Sequence, residues 1–150
     1  MKRFEFRLER VLGYRQKLEE QRHQLFGRAL QMVQTQQAGL LALYQLVSQA
    51  KEEMRGQSRS TVDVQALRQQ RVYLGTVTRQ VAVALKRLRT LEHELDRCRR
   101  MLIEARKDRR ALELLREKRR ADHEVEAGRE AQKELDEVAA RAAVMRETAG

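Results

Sequence analysis

Few residues in this chain have the type and spacing that could do chemistry. The stretch His93-Glu94-Leu95-Asp96-Arg97 starts like HExxH, in which two histidines one helical turn apart hold zinc while the glutamate activates water. Arg97 stands where the second ligand is required, so His93 reads as an outward-facing side chain. His23 and His123 are remote in sequence, and Cys98 is the single cysteine, set among residues that expect a small apolar side chain. The seven glycines are scattered and form no loop that could cradle a phosphate. These residues predict no catalytic group, no metal and no cofactor. The chain is read as a non-enzymatic protein.

The composition points to long helices carrying a thin apolar seam. The 150 residues include no Pro and no Trp, 36% are charged, and Leu, Ala, Glu, Arg and Gln abound. A net charge of +10 calls for either an anionic partner or a solvated helix exterior. The window from Glu104 to Glu124 holds eight Arg or Lys and six Asp or Glu, which dilutes the field a polyanion needs, so no nucleic-acid partner is expected. A lone cysteine fits a reducing compartment, no apolar run reaches the length of a membrane span, and residues 1–7 lack the apolar stretch of a signal peptide. These features predict a cytoplasmic protein.

The strongest pattern is a heptad repeat. Leu67, Gln70, Leu74, Val77, Val81, Ala84, Leu88, Leu91, Leu95, Cys98, Leu102, Ala105, Arg109 and Leu112 alternate spacings of three and four, which keeps one helix stripe facing a partner. The N-terminal half carries a weaker version in two frames, with Phe4, Leu8, Val11, Leu18, Leu25, Ala29 and Met32 in one and Leu40, Leu43, Val47, Ala50 and Met54 in the other. The offset between them predicts a four-residue stutter around Gln36. Arg15 and Arg22 fall on the first frame and weaken it. Between the halves, Gly56 suits a helix C-terminus, and Ser60 with Asp63 resembles a capping box. The expected fold is all-α, a single domain over residues 1–150 of two long helices in an antiparallel coiled-coil hairpin, with helix one at about 3–55, the turn at about 56–60 and helix two at about 61–146.

With the turn centred near Ser58, Phe4 is expected opposite Leu112, so helix two would be paired to about residue 112 and overhang its partner by roughly 50 Å. The overhang carries a fresh apolar stripe at Ala131, Leu135, Val138, Ala142 and Met145. The same count puts Tyr44 near Tyr73, where with Gln37 and Leu41 they would form an aromatic contact surface or merely flank the seam.

The residues that open and close the chain carry a family resemblance. The stretches Phe4-Glu5-Phe6-Arg7-Leu8-Glu9-Arg10-Val11-Leu12, Ala111-Leu112-Glu113-Leu114-Leu115-Arg116-Glu117-Lys118-Arg119 and Gln132-Lys133-Glu134-Leu135-Asp136-Glu137 occur in order across a chain that resembles the FliJ family, the small coiled-coil component of the bacterial flagellar type III export apparatus. The resemblance implies a stalk similar to the central shaft of rotary ATPases. Its helix ends distal to the turn would sit in the hexameric ring of the flagellar export ATPase, through Phe4, Phe6, Leu8, Leu12, Leu112, Leu115, Arg116 and Arg119. Its part nearer the turn would contact the cytoplasmic domain of the export gate protein FlhA, through Gln37, Leu41, Tyr44, Tyr73 and Val77. Ser48 departs from the family pattern, which calls for another aromatic there. The resemblance further implies contact with export chaperones, a monomeric free state, a cytoplasmic location peripheral to the inner membrane at the flagellar base, and service in motility and chemotaxis. An injectisome stalk has the same shape and role, and a self-associating structural coiled coil is the alternative of a different class.

Overall fold

The computed structural model describes residues 3–57 and 63–148, and among these the chain folds into two α-helices and no strand. α1 spans Glu9–Gln57 and α2, the longer, spans Val64–Thr148. Both are rich in strong helix formers and free of proline, which lets them run uninterrupted. Glu9 in the first turn of α1, and Arg55 and Arg146 in the last turns of α1 and α2, complement the helix dipoles.

The helix ends differ from those the sequence predicts. Residues 3–8 precede α1 in a non-helical segment. Gly56 lies inside α1, and no glycine among the described residues has a positive φ, so the helix passes through it without the left-handed cap that the sequence suggests. Asp63 starts α2 by itself. Its Oδ1 accepts the backbone N–H of Gln65 at 3.0 Å and of Ala66 at 3.4 Å, which satisfies two of the donors a helix N-terminus leaves free. Ser60, the capping residue expected from the sequence, lies outside the described residues.

The heptad series of α2 matches its buried stripe. Each of its fourteen positions is buried or half-buried, with Val77, Cys98, Leu102 and Ala105 the most enclosed. In α1 the stutter is absent. Leu12, Arg15, Glu19, Arg22, Phe26, Ala29, Val33, Gln36, Leu40, Leu43, Val47, Ala50 and Met54 alternate threes and fours in one unbroken frame, and all are buried or half-buried. The row Val11, Leu25 and Met32 is exposed, because it lies one residue to the side of the true seam. Apolar residues occupy both adjacent rows, while Arg15, Glu19 and Arg22 fill true seam positions, and that combination disguises the frame.

The chain divides into two compact units, Glu20–Glu104 and the pair of segments Met1–Glu19 with Ala105–Gly150. In the first, antiparallel pairing brings Arg22 to Met101, Phe26 under Arg99 and Gln36 to Ala84. Gln36 Nε2 donates to the Ala84 carbonyl at 3.2 Å, an approach that the small Ala84 side chain permits. In the second, Arg15 meets Asp108, Glu9 meets Arg116, and the Phe4 ring lies against His123.

Phe4 therefore sits beside His123, eleven residues beyond the Leu112 that the length count selects. Two physical causes add together. The stretch between the helices centres past Ser58, and residues 3–8 are not helical, so the helical rise that the count assumes does not hold for them. α2 is thus covered past residue 112, and half-buried residues recur as far as Ala127.

Candidate partner-binding surfaces

The first surface is built where the N-terminal segment lies on α2. Phe4 and Phe6 are half-buried, and the Phe4 ring tilts at 58° to His123 with centroids 5.6 Å apart. An open groove there is lined by Phe4, Phe6, Leu8, Leu115, Arg119 and His123, and a second one on the other side of the segment by Phe4, Glu9, Arg116, Glu117 and Arg120. Of the ring-facing residues expected from the sequence, Phe4, Phe6, Leu8, Leu115, Arg116 and Arg119 come together at these grooves. Arg116 is held by Glu9 at 3.3 Å, whereas Arg119 is exposed and in no ion pair among the described residues. Leu112 is half-buried in the seam, and Leu12, 1% exposed, is core.

Directly adjoining is a charged layer of the seam that sequence reasoning does not assemble. Arg109 donates through Nε to Glu19 and through Nη1 to Glu113 at 2.7 Å, while Arg106 reaches Glu19 at 3.5 Å and Arg110 reaches Glu113 at 3.4 Å. Hydrogen bonds to Glu113 and then Glu19 raise the Arg109 pKa, and the hydrogen bond from Arg109 holds the Glu113 carboxyl below the ordinary glutamate value. A layer of this kind favours one register, because sliding either helix leaves partly desolvated charges without partners. The sequence signal for it is the polar interruption of both heptad rows, at Arg15, Glu19 and Arg22 in α1 and at Arg109 in α2.

Past Ala127 every described residue of α2 is exposed, which leaves about 30 Å of uncovered helix. The stripe at Ala131, Leu135, Val138, Ala142 and Met145 steps by fours and threes, the same 3.5-residue period that the covered part of α2 keeps.

The second expected surface lies in the unit Glu20–Glu104. Gln37, Leu41, Tyr44 and Tyr73 are exposed, Leu41 at 60%, while Val77 is 3% exposed and belongs to the seam. No ring contact joins the two tyrosines. In heptad terms Tyr44 follows the seam residue Leu43 and Tyr73 precedes the seam residue Leu74. In an antiparallel pair these flanking positions border opposite edges of the seam, so Tyr44 groups with Gln37 and Leu41 while Tyr73 stands on the other edge.

Cys98 is buried in the seam, no cluster among the described residues could hold a metal ion, and no helix of the described residues is long and apolar enough to cross a membrane. Two antiparallel helices with a thin seam and exposed helix faces define a coiled-coil interaction protein. A comparison with protein-family models matches residues 4–148 to the Flagellar FliJ protein family. The chain belongs to the FliJ family, whose members are components of the flagellar export machinery and are not known as enzymes. No curated protein and no solved structure gives a significant match.

Proposed function

We propose that this chain is the stalk of the flagellar type III export apparatus, joining the hexameric export ATPase to the membrane export gate. The observation that carries this reading is the uncovered end of α2. It extends about 30 Å beyond its cover, bears one apolar stripe, and begins beside the groove formed by Phe6, Leu115 and Arg119. A helix of that kind can enter a ring, with its stripe against apolar walls and Arg119 opposite carboxylates. An asymmetric rod then contacts successive ring subunits unequally and biases their conformations, so hydrolysis belongs to the ring and coupling to the rod. Gln37, Leu41 and Tyr44 supply the contact to the cytoplasmic domain of FlhA, with Tyr73 on the opposite edge of the seam. Val77 supports this surface from within the seam, as Leu12 and Leu112 support the ring-facing end. Export chaperones share the exposed surfaces. The free chain is monomeric and works in the cytoplasm, peripheral to the inner membrane at the flagellar base, in the service of motility and chemotaxis.

The test is a binding experiment with two purified targets, the ATPase hexamer and the FlhA cytoplasmic domain. Arg119→Glu should weaken binding to the hexamer alone, and the pair Leu41→Ala and Tyr44→Ala should weaken binding to the FlhA domain alone. Unchanged binding of both variants to both targets would remove the assignment.

A further inference from the structure

The two units of this chain are held by different forces. All four ion pairs that join α1 to α2 among the described residues belong to the unit Met1–Glu19 with Ala105–Gly150. They are Arg15 with Asp108 at 3.0 Å, Arg116 with Glu9 at 3.3 Å, and Glu19 with both Arg106 and Arg109. In the unit Glu20–Glu104 the described ion pairs stay within one helix, Arg55 with Glu52, Arg97 with Glu94 and Arg100 with Asp96. Apolar burial is divided the opposite way. Of the nine buried side chains among the described residues, only Leu12 and Ala105 lie in the ion-paired unit, where Arg15 and Glu19 fill the other seam positions of α1.

Charge contacts of this kind yield where buried apolar contacts do not. The Asp108 side chain is 52% exposed and that of Glu9 61%, so dissolved salt screens their pairs, whereas apolar burial does not depend on such screening. Gly13 adds to the weakness. It lies inside α1 next to Leu12, and a Cβ there would meet nothing of α2 within 4 Å, so this glycine costs helix stability without serving a close approach. Residues 3–8 ahead of it have no helix of their own and rest on α2 through the half-buried Phe4 and Phe6.

We infer that residues 3–19 form a releasable clamp on α2, which lifts as one step while the unit Glu20–Glu104 stays paired. Release uncovers Leu112 and Leu115 and separates Arg106, Arg109 and Arg116 from the carboxylates of α1. The bare part of α2 grows from residues 128–148 to residues 105–148, from about 30 Å to about 65 Å of helix. The clamp thereby sets the length of helix offered to a partner. A partner that grips only the lengthened arm draws the clamp open, and one that also holds residues 3–19 keeps it closed. The equilibrium belongs to the free chain and exists whichever partner uses it.

The test is amide hydrogen exchange of the full-length free chain, read by mass spectrometry at about 50 mM and about 500 mM NaCl. Residues 25–50, in the other unit, serve as the internal reference, and circular dichroism checks that each variant remains helical. The higher salt should speed exchange in residues 9–19 by about three- to tenfold while changing residues 25–50 less than about twofold. Glu19→Gln, which leaves Arg106 and Arg109 without their α1 carboxylate, should speed exchange in residues 9–19 about tenfold or more at low salt. Gly13→Ala should slow it there about fivefold, and Gly27→Ala, equally free of contacts but in the other unit, should leave residues 9–19 unchanged. Equal acceleration of both windows by salt would mean that the hairpin opens as a whole and would overturn the clamp. So would indifference of residues 9–19 to salt, to Glu19→Gln or to Gly13→Ala.

Discussion

Replacing Leu12 by Ala separates residues that hold the helices together from residues that meet a partner. Leu12 is 1% exposed and is the most enclosed side chain among the described residues, although the sequence groups it with ring-facing neighbours. The substitution removes three carbons, worth about 0.8 kcal/mol each when fully buried, or about 2.4 kcal/mol in transfer alone. A residual cavity adds to this, while a seam only two helices thick can partly collapse around the gap, so the expected loss is about 2–3 kcal/mol, near the low end for buried leucine. For a chain of this size that corresponds to a fall in Tm of about 5–10 °C. Thermal and urea unfolding followed by circular dichroism measure it, with Leu41→Ala as the control. Leu41 is 60% exposed, so its truncation should stay within about 0.5 kcal/mol. A loss below about 1 kcal/mol at Leu12, or an equal loss at Leu41, would refute the continuous heptad frame of α1.

Other outcomes follow from particular contacts. Glu113 has its pKa lowered below 4.5, so its contribution to stability is complete above the unfolded value and disappears as pH falls through the lowered one, while that of Arg109 persists at any usable pH. Glu113→Gln should therefore shrink the difference in Tm between about pH 7 and about pH 3, and an undiminished difference would exclude Glu113 from the acid response. Phe4→Ala removes the ring contact with His123 and should speed tryptic cleavage at Arg7 by roughly three- to tenfold, the equivalent of about 1 kcal/mol of local stability; unchanged cleavage would show that the ring does not hold the segment. Ala105→Leu forces a larger side chain into a position 4% exposed and should cost about 1–3 kcal/mol by urea unfolding, whereas a neutral or stabilising effect would mean that the seam has unfilled space there.

The sequence exposes the hairpin because a long heptad series has few other solutions, and in α2 each position of that series is buried or half-buried in the structure. In α1 the frame is hidden, since Val11, Leu25 and Met32 look as suitable as Leu12, Phe26 and Val33, and Arg15, Glu19 and Arg22 interrupt the true seam. Resolving that choice needs the partner helix, where Arg106, Asp108 and Arg109 meet the polar positions of α1. The pairing of Phe4 is hidden for another reason, because a residue count assumes helical rise throughout and residues 3–8 are not helical.

The seam also explains how each unit can pack closely and still be specific in register. Its buried residues include Ala29, Ala50, Ala105 and Cys98, small side chains that let helices approach closely. Register is then left to polar contacts, the Gln36–Ala84 bond in one unit and the Glu19–Arg109–Glu113 cluster in the other. Outward-facing surfaces are thereby set at fixed positions within each unit.

The stalk role depends most directly on the uncovered end of α2, and the hydrolysis rate of the purified export ATPase tests it. Full-length chain should raise that rate, and a chain ending at Ala127 should unfold with the same paired-helix transition while raising it little or not at all. Stimulation by the shortened chain equal to that of the full chain would contradict the account.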